Sequence, residues 1–463
     1  MLSIIFSTQY LAGFTALLSV IASAGCFGWM TPIMSYLRDP NNDIYMTSEQ
    51  VAFMIAVLEV GETPSCIPTG ILADKIGRKA CILLSGPIYA VTWLVILFTT
   101  NYVIICAMRV LQGFAMALVF AVVPLYLGEI SSPANRGSLT GLFSVAWFFG
   151  YLLQYCVGPY VSYFIFTLLT TMVPVVFTVV FIFQPESPHY LLSKNKLDKA
   201  EKALTWLRKG EPEELIRSEL EEMNDTVQKE LNSKPSWNDV IETPADRQSL
   251  FILFIIGTTR ILSGAIAIMS YSTALFEQAG WSSFLSPDDL TIIMGVAFLI
   301  GGVINAAVVD SLGRRPVIFI SCLGSALSLF IVGLYFFMKK SQVDVTAYSW
   351  TVPLGVIIYC IFSVVGLYPV SMTYTSELFT TKTRGMAAAL STMNLSIGGF
   401  LCIELYQLVG DNYGLEYVFW FFAIVCIVGC VVLYFVAPET KGKTFSQIRD
   451  EIINVKNKNK SPS

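Results

Sequence analysis

Charge is scarce in this chain. Of its 463 residues only 13% are Asp, Glu, Lys or Arg, and 55% are hydrophobic. Soluble domains carry about 25% charged residues, so an ordinary soluble domain is excluded. The formal net charge of −4 gives no basis for a nucleic-acid partner. Histidine occurs once, at His189, which leaves no His for a proton relay inside a membrane. There are ten cysteines (Cys26, Cys66, Cys81, Cys106, Cys156, Cys322, Cys360, Cys402, Cys426 and Cys430), but each lies inside an apolar run. Buried free Cys behaves as a small hydrophobe, so neither a disulfide framework nor a metal site is expected. No basic segment precedes the first apolar run, and that run is too long for a cleavable signal peptide. Gly77-Arg78-Lys79 lacks the spacing of a phosphate-binding loop. The reading is therefore of a chain with no cofactor and no enzymatic chemistry.

Long apolar runs are abundant. A bilayer core requires about 20 apolar residues per helix, and twelve runs meet that length: roughly 11–36, 51–73, 80–99, 102–128, 138–161, 162–183, 250–276, 290–309, 316–338, 348–376, 385–409 and 415–437. A barrel would instead show alternating segments of about ten residues. The fold class expected is an all-α membrane protein with twelve transmembrane helices. Twelve spans put both termini on one side. The connections on the side of Asp74–Lys79 hold 24 Lys and Arg, against 3 on the other (Arg38, Lys339 and Lys340). Positive charge stays in the cytoplasm, so both termini and the polar stretch 184–249 are expected there. Within that stretch Lys196–Lys209 and Glu213–Leu231 place Leu197, Leu204, Leu207, Leu215, Leu220 and Met223 at helical spacing. They read as amphipathic surface helices, either a solvated linker or a latch. Residues 459–463 are polar and expected to be disordered.

The motifs come in pairs. Asp74-Lys75-Ile76-Gly77-Arg78-Lys79 returns as Asp310-Ser311-Leu312-Gly313-Arg314-Arg315. Glu129, six residues, Arg136-Gly137 returns as Glu377, six residues, Arg384-Gly385. Pro185-Glu186-Ser187 returns as Pro438-Glu439-Thr440. The order is the same and the separations are 236, 248 and 253, so two six-helix pseudo-repeats are expected: residues 1–183 and 250–437, with the linker 184–249 between them and the tail 438–463 after them. Parallel repeats of this kind build transporters whose substrate site lies near mid-membrane. Gly77 and Gly313 suit turns that require positive φ.

With Arg109-Val-Leu-Gln112-Gly113 added, these motifs resemble the sugar porter family of the major facilitator superfamily over nearly the whole chain. Within it, Trp29 with Pro32 after Gly25 and Gly28, and Leu72–Lys79, are similar to the insect facilitated trehalose transporters. The resemblance implies the major facilitator fold, a small sugar as substrate, the lipid bilayer of the plasma membrane as surroundings, and function as a monomer. It also implies a cytoplasmic gate of ion pairs: Asp74, Arg78, Arg109, Glu129, Arg136 and Glu186 in the first half, and Asp310, Arg314, Arg315, Glu377, Arg384 and Glu439 in the second. The alternative is that these charges serve only as positive-inside anchors.

The resemblance thins at the substrate site. In the family segment 7 supplies two Gln and an Asn, where this chain has Arg260, Ile261 and Ile266. The segment 5 Gln is Ser144, the segment 8 Asn falls near Phe298, and the segment 10 Trp is Met372. The remaining candidates for substrate contact are Arg260, Gln154, Ser144, Trp147, Ser263, Tyr271, Asn305 and Asn394, with Tyr151, Ser270, Thr273 and Glu404 nearby in sequence. Hydroxyl and amide side chains in membrane helices also bond across helices. An Arg in mid-membrane calls for a partner; Glu404, Glu62 or an anionic substrate would serve. The family's proton-coupled members carry an acid in segment 1, and Gly25–Gly28 has none. Facilitated sugar transport is therefore expected. The alternatives are proton symport, kept open by Glu59, Glu62 and Glu404, and a non-transporting nutrient sensor on the same fold.

Overall fold

A computed structural model of the chain describes residues 8–132, 135–232, 236–281, 285–441, 443 and 447–452; the polar tail 459–463 lies outside them. The helices of the first repeat are α1 (Thr8–Gly28), α2 (Met30–Arg38), α3 (Ser48–Ile76), α4 (Arg78–Phe98), α5 (Tyr102–Ile130), α6 (Arg136–Val157) and α7 (Tyr163–Phe181). The linker forms α8 (Pro188–Ser193), α9 (Leu197–Leu207) and α10 (Glu213–Asn232). The second repeat forms α11 (Pro244–Leu262), α12 (Ala265–Ala279), α13 (Pro287–Leu312), α14 (Arg314–Lys340), α15 (Thr351–Val365), α16 (Leu367–Glu377), α17 (Thr381–Asn412) and α18 (Leu415–Val436). Twelve stretches among the described residues are long and apolar enough to span a bilayer, and no strand occurs among them. Helix is the form such runs take, because lipid offers the backbone no hydrogen bonds. Side chains cap several starts. Asn101 Oδ1 accepts the N–H groups of Val103 (2.9 Å) and Ile104 (3.4 Å), and Thr243 and Asp246 form a reciprocal capping box at α11.

Three spans are interrupted, which their hydropathy does not reveal. Trp29 separates α1 from α2. Ser263 and Gly264 separate α11 from α12; Gly264 has φ +96°, and a Cβ there would lie 2.3 Å from Phe422. Gly366 separates α15 from α16, and its added Cβ would lie 2.6 Å from the Val317 carbonyl. Ser321 closes this last break, accepting from Leu367 N (3.1 Å) and donating to Phe362 O (2.6 Å).

The chain packs as two compact units. The first is Met1–Cys26, Val60–Leu153 and Val161–Pro235. Its membrane helices pack α4 against α5 and α7. Its linker helices bury a small core of Tyr190, Leu191, Leu192, Ala200, Ala203, Leu204, Ile216, Leu220 and Val227, with Met223 against it. The expected apolar stripe thus turns inward, except that Leu197 and Leu215 are exposed. The second unit is Phe27–Glu59, Gln154–Tyr160 and Ser236–Ser463. In it α14 packs on α18 and α15, α11 on α17 and α18, and α2 on α12. Thr31 Oγ1 and Tyr155 OH both donate to the Met269 carbonyl, at 2.9 and 2.7 Å. Ser396 Oγ donates to Glu59 Oε2 at 2.7 Å. Rows of large apolar side chains face outward, including Val176 and Val179 of α7 and Ile424, Val428 and Val431 of α18. Apolar surface this extensive fits a lipid surround.

Candidate functional site

The turn between α3 and α4 is forced tight by its sequence. Gly77 has φ +107°, and a Cβ on it would lie 2.2 Å from Glu186 Oε2. Only glycine admits both the conformation and the neighbour. The turn ends at the exposed N–H groups of α4, which no side chain of the turn caps. Glu186 supplies the cap from 107 residues downstream, its Oε1 accepting Lys79 N at 2.9 Å and Ser187 N at 2.9 Å. Burial holds the Glu186 carboxyl above the ordinary carboxylate value, against the opposing pull of those N–H groups and of Arg78.

Beside this cap Arg78 ties three segments together. It donates to Glu129 Oε1 (3.2 Å), Asp74 Oδ1 (3.1 Å) and the Ala73 carbonyl (3.2 Å), and it lies 5.3 Å from the Tyr190 ring centroid. Glu129 also receives the Ser187 hydroxyl on Oε2, and His189 Nδ1 stands 3.8 Å from Glu129 Oε1. His189, the single histidine of the chain, is thus a member of this cage. Tyr126 OH donates to the Pro185 carbonyl at 2.9 Å, and Tyr190 OH to the Lys75 carbonyl at 2.9 Å.

The second unit repeats the plan of this construction with some atoms exchanged. Gly313 has φ +91°, and its added Cβ would lie 2.8 Å from Glu439 Oε2. Glu439 caps α14 by accepting Arg314 N (3.1 Å) and Arg315 N (3.0 Å), and it also accepts Lys441 N (2.9 Å). Arg314 pairs with Glu377 Oε1 at 3.0 Å, Thr440 Oγ1 donates to Glu377 Oε2 at 2.5 Å, and Tyr374 OH donates to the Pro438 carbonyl at 2.8 Å. Burial raises the Glu439 carboxyl too, but the N–H groups of Lys441, Arg315, Arg314 and Thr440 outweigh it and hold this carboxyl below its ordinary value. Arg315 turns to the Tyr434 carbonyl (2.5 Å) and ring (5.3 Å).

Three of the expected gate residues stand elsewhere. Arg109 does not join the network. It shares α5 with Glu129 but precedes it by 20 residues, about 30 Å of helix. Fully buried, it donates to the Cys26 carbonyl and to Gln112 Oε1 (3.2 Å). The reason is local: a buried guanidinium takes the nearest acceptors, and α1 offers a carbonyl at its own depth. Arg136 and Arg384 are exposed at the starts of α6 and α17 and join no ion pair among the described residues. The Asp310 side chain lies outside the described residues.

At mid-span the second unit gathers two of its breaks. Arg260 lies in the last turn of α11, one turn before Gly264, and is buried at 7% exposure. Its guanidinium stacks 3.5 Å from the centroid of Tyr368, in the first turn of α16, and Nη1 donates to Ser371 Oγ at 3.0 Å. Its partners are thus Tyr368 and Ser371, not Glu404. Ser263 donates to the Arg260 carbonyl (2.7 Å) and shares a hydrogen bond with Tyr359 OH (3.0 Å). Asn394 bridges α17 to α11, donating to Phe254 O (3.2 Å) and accepting from Thr258 Oγ1 (3.2 Å). Tyr271 stacks on Tyr406 with centroids 4.7 Å apart. The buried atoms Tyr271 OH, Ser270 Oγ, Asn305 Oδ1 and Glu404 Oε1 have no hydrogen-bond partner among the described residues. Gln154 is buried in the second unit. In the first unit Trp147 is buried edge-on to Phe120 and Tyr151, and Ser144 is half-buried.

Twelve spans in two repeats, each closed by the same charged cage, define a polytopic carrier of the major facilitator fold. The solved structures share this fold. The proton:xylose symporter XylE bound to 6-bromo-6-deoxy-D-glucose matches with TM-score 0.73 at 19% identity, over 97% of this chain and 99% of that one. The inward-open xylose transporter XylE from E. coli matches with TM-score 0.77 at 18% identity, over 96% and 99%. Residues 5–451 match the family described as "Sugar (and other) transporter", and the chain belongs to that family. Among curated relatives, the facilitated trehalose transporter Tret1 of Bombyx mori is 27% identical over 461 residues, covering 98% of this chain and 90% of the relative. Tret1 of Drosophila virilis is 26% identical over 449 residues, and the match covers 96% of this chain but 49% of that longer protein.

Proposed function

We propose that this protein is a facilitative, alternating-access carrier for trehalose or a related sugar. The observation that carries the reading is the pair of equivalent ion-pair cages in a member of the sugar transporter family. Each cage joins the end of one helix pair to the residues that close its repeat, and such sets of pairs have two discrete arrangements that a ligand can bias. In this reading residues 1–183 and 250–437 are the moving halves. The cages stand at the cytoplasmic face of the plasma membrane, both termini are cytoplasmic, and a monomer suffices. Arg260, Gln154, Ser144, Trp147, Ser263, Tyr271, Asn305 and Asn394 are the side chains offered for cargo contact, Ser263 and Asn394 chiefly as braces of the helices that bear the site. The protein carries out transport and no enzymatic reaction.

Proton symport is the second reading, favoured by Glu59, a carboxyl at 3% exposure hydrogen-bonded to Ser396. Uptake of radiolabelled trehalose and glucose into proteoliposomes, with and without a pH gradient, decides between them. Saturable uptake indifferent to the gradient is expected. Uptake that collapses with the gradient establishes symport, and absence of saturable uptake of any sugar leaves a sensor.

A further inference from the structure

Arg260 is a buried cation with no carboxylate partner among the described residues. Its partners in the second unit are a phenol ring and a hydroxyl, Tyr368 and Ser371. No carboxylate forms an ion pair with it among the described residues. Three acids of the same unit are committed elsewhere, Glu59 to Ser396, Glu377 to Arg314 and Glu416 to Lys340 at 2.6 Å, and Glu404 makes no ion pair with Arg260 among the described residues. Removing a guanidinium from water without a counter-ion is costly, and arginine does not shed its proton to escape the cost. A membrane protein retains such a charge when it is used.

The surroundings narrow the use. Arg260 stands where the break between α11 and α12 meets the start of α16, which follows the break at Gly366. Broken helices are where carriers of this kind bind their cargo. The flanking side chains Ile261 and Ile266 are apolar, and beside the neutral Tyr368 and Ser371 the guanidinium is the charged group at this locus. A planar guanidinium matches a carboxylate in a two-pronged pair. With one cation at this locus, a monoanionic carboxylate balances the charge, whereas a phosphate monoester at about −1.5 to −2 would not.

We propose that Arg260 selects a monosaccharide bearing a carboxylate, a sugar acid of the hexuronate type, as the related sugar that this carrier moves. The proposal rests on the transport reading above. Tyr368 and Ser371 hold the guanidinium in place, and the carboxylate completes its coordination.

The test uses purified full-length protein in proteoliposomes, with radiolabelled glucuronate, glucose and trehalose supplied separately. Glucuronate uptake is expected to saturate and to be blocked by excess unlabelled glucuronate at lower concentration than by glucose. Its equilibrium accumulation is expected to follow an imposed membrane potential, about tenfold for each ~60 mV, as for any transported monovalent anion. Arg260→Gln is expected to lower glucuronate uptake about tenfold or more, the worth of a charge-assisted pair, and so to shift the ratio of glucuronate to glucose uptake toward glucose. Arg260→Lys is expected to restore part of the loss. Thermal unfolding of both variants separates a misfolded protein from an altered one, and the wild-type comparison needs no variant at all. Uptake of glucose or trehalose that glucuronate neither matches nor inhibits overturns the proposal while transport stands. Absence of uptake for all three overturns transport and the proposal together.

Discussion

The two cages use one plan and hold their protons differently. Each caps a helix with the carboxylate that follows a closing proline: Glu186 for α4 and Glu439 for α14. Glu186 takes two N–H groups and lies deep enough for burial to dominate, so its carboxyl is raised. Glu439 gathers N–H groups from both sides and is lowered. The partner carboxylates differ in the same sense. Glu129 and Arg78 are 8% and 10% exposed in their side chains, while Glu377 and Arg314 are 24% and 16%. Duplication preserved the connections; depth then changed their electrostatics.

The largest test of this contrast removes the partner carboxylates. Glu129→Ala leaves the buried Arg78 with Asp74 as its remaining carboxylate and is expected to cost about 3 kcal/mol or more. Glu377→Ala is expected to cost about 1 kcal/mol, because water reaches Arg314 more readily. Thermal unfolding in detergent ranks the two, and a reversed order breaks the comparison. Next come the glycines. Gly77→Ala and Gly313→Ala each force a side chain to positive φ at about 1–3 kcal/mol. Gly77→Ala is expected to be the worse, since its Cβ would lie 2.2 Å from Glu186 against 2.8 Å from Glu439.

Acid sharpens the contrast further. A raised carboxyl such as Glu186 contributes stability that is full below its unfolded value and is lost as pH rises through the folded one. A lowered carboxyl such as Glu439 contributes stability present above its unfolded value and lost as pH falls through the folded one. Glu439→Gln is therefore expected to lower the unfolding temperature at pH 7 more than Glu186→Gln does. The deficit of Glu439→Gln should close as pH falls below the usual glutamate value of about 4.5. Equal losses at pH 7 would show that depth does not separate the cages. The smallest effect belongs to His189→Asn, expected to cost less than about 1 kcal/mol because the contact is long, 3.8 Å, and partly wet.

The sequence announced most of this fold. Twelve apolar runs, three motif pairs and the glycine turns sit where their spacing places them, because bilayer thickness and positive φ leave few choices. The pairs Arg78–Glu129 and Arg314–Glu377 were legible as repeated charge. Ser187, Thr440, Tyr126 and Tyr374 were not, since a hydroxyl in a membrane protein carries no mark of its partner. Nor were the breaks at Trp29, Ser263–Gly264 and Gly366, which leave hydropathy unchanged. Arg109 was misread because a motif position does not state depth; counting helical turns to Glu129 would have separated them. Tyr368 and Ser371 escaped notice because their value to Arg260 depends on how α15 and α16 break.

The cap on α4 also orders events in time. Lys79 and its turn leave the ribosome 107 residues before Glu186, and α14 likewise waits 125 residues for the carboxylate of Glu439. Until then the first turn of each helix holds open N–H groups at the membrane surface. Each half can thus lock only after its sixth span has emerged, and the residue that ends the repeat is the one that fastens its beginning.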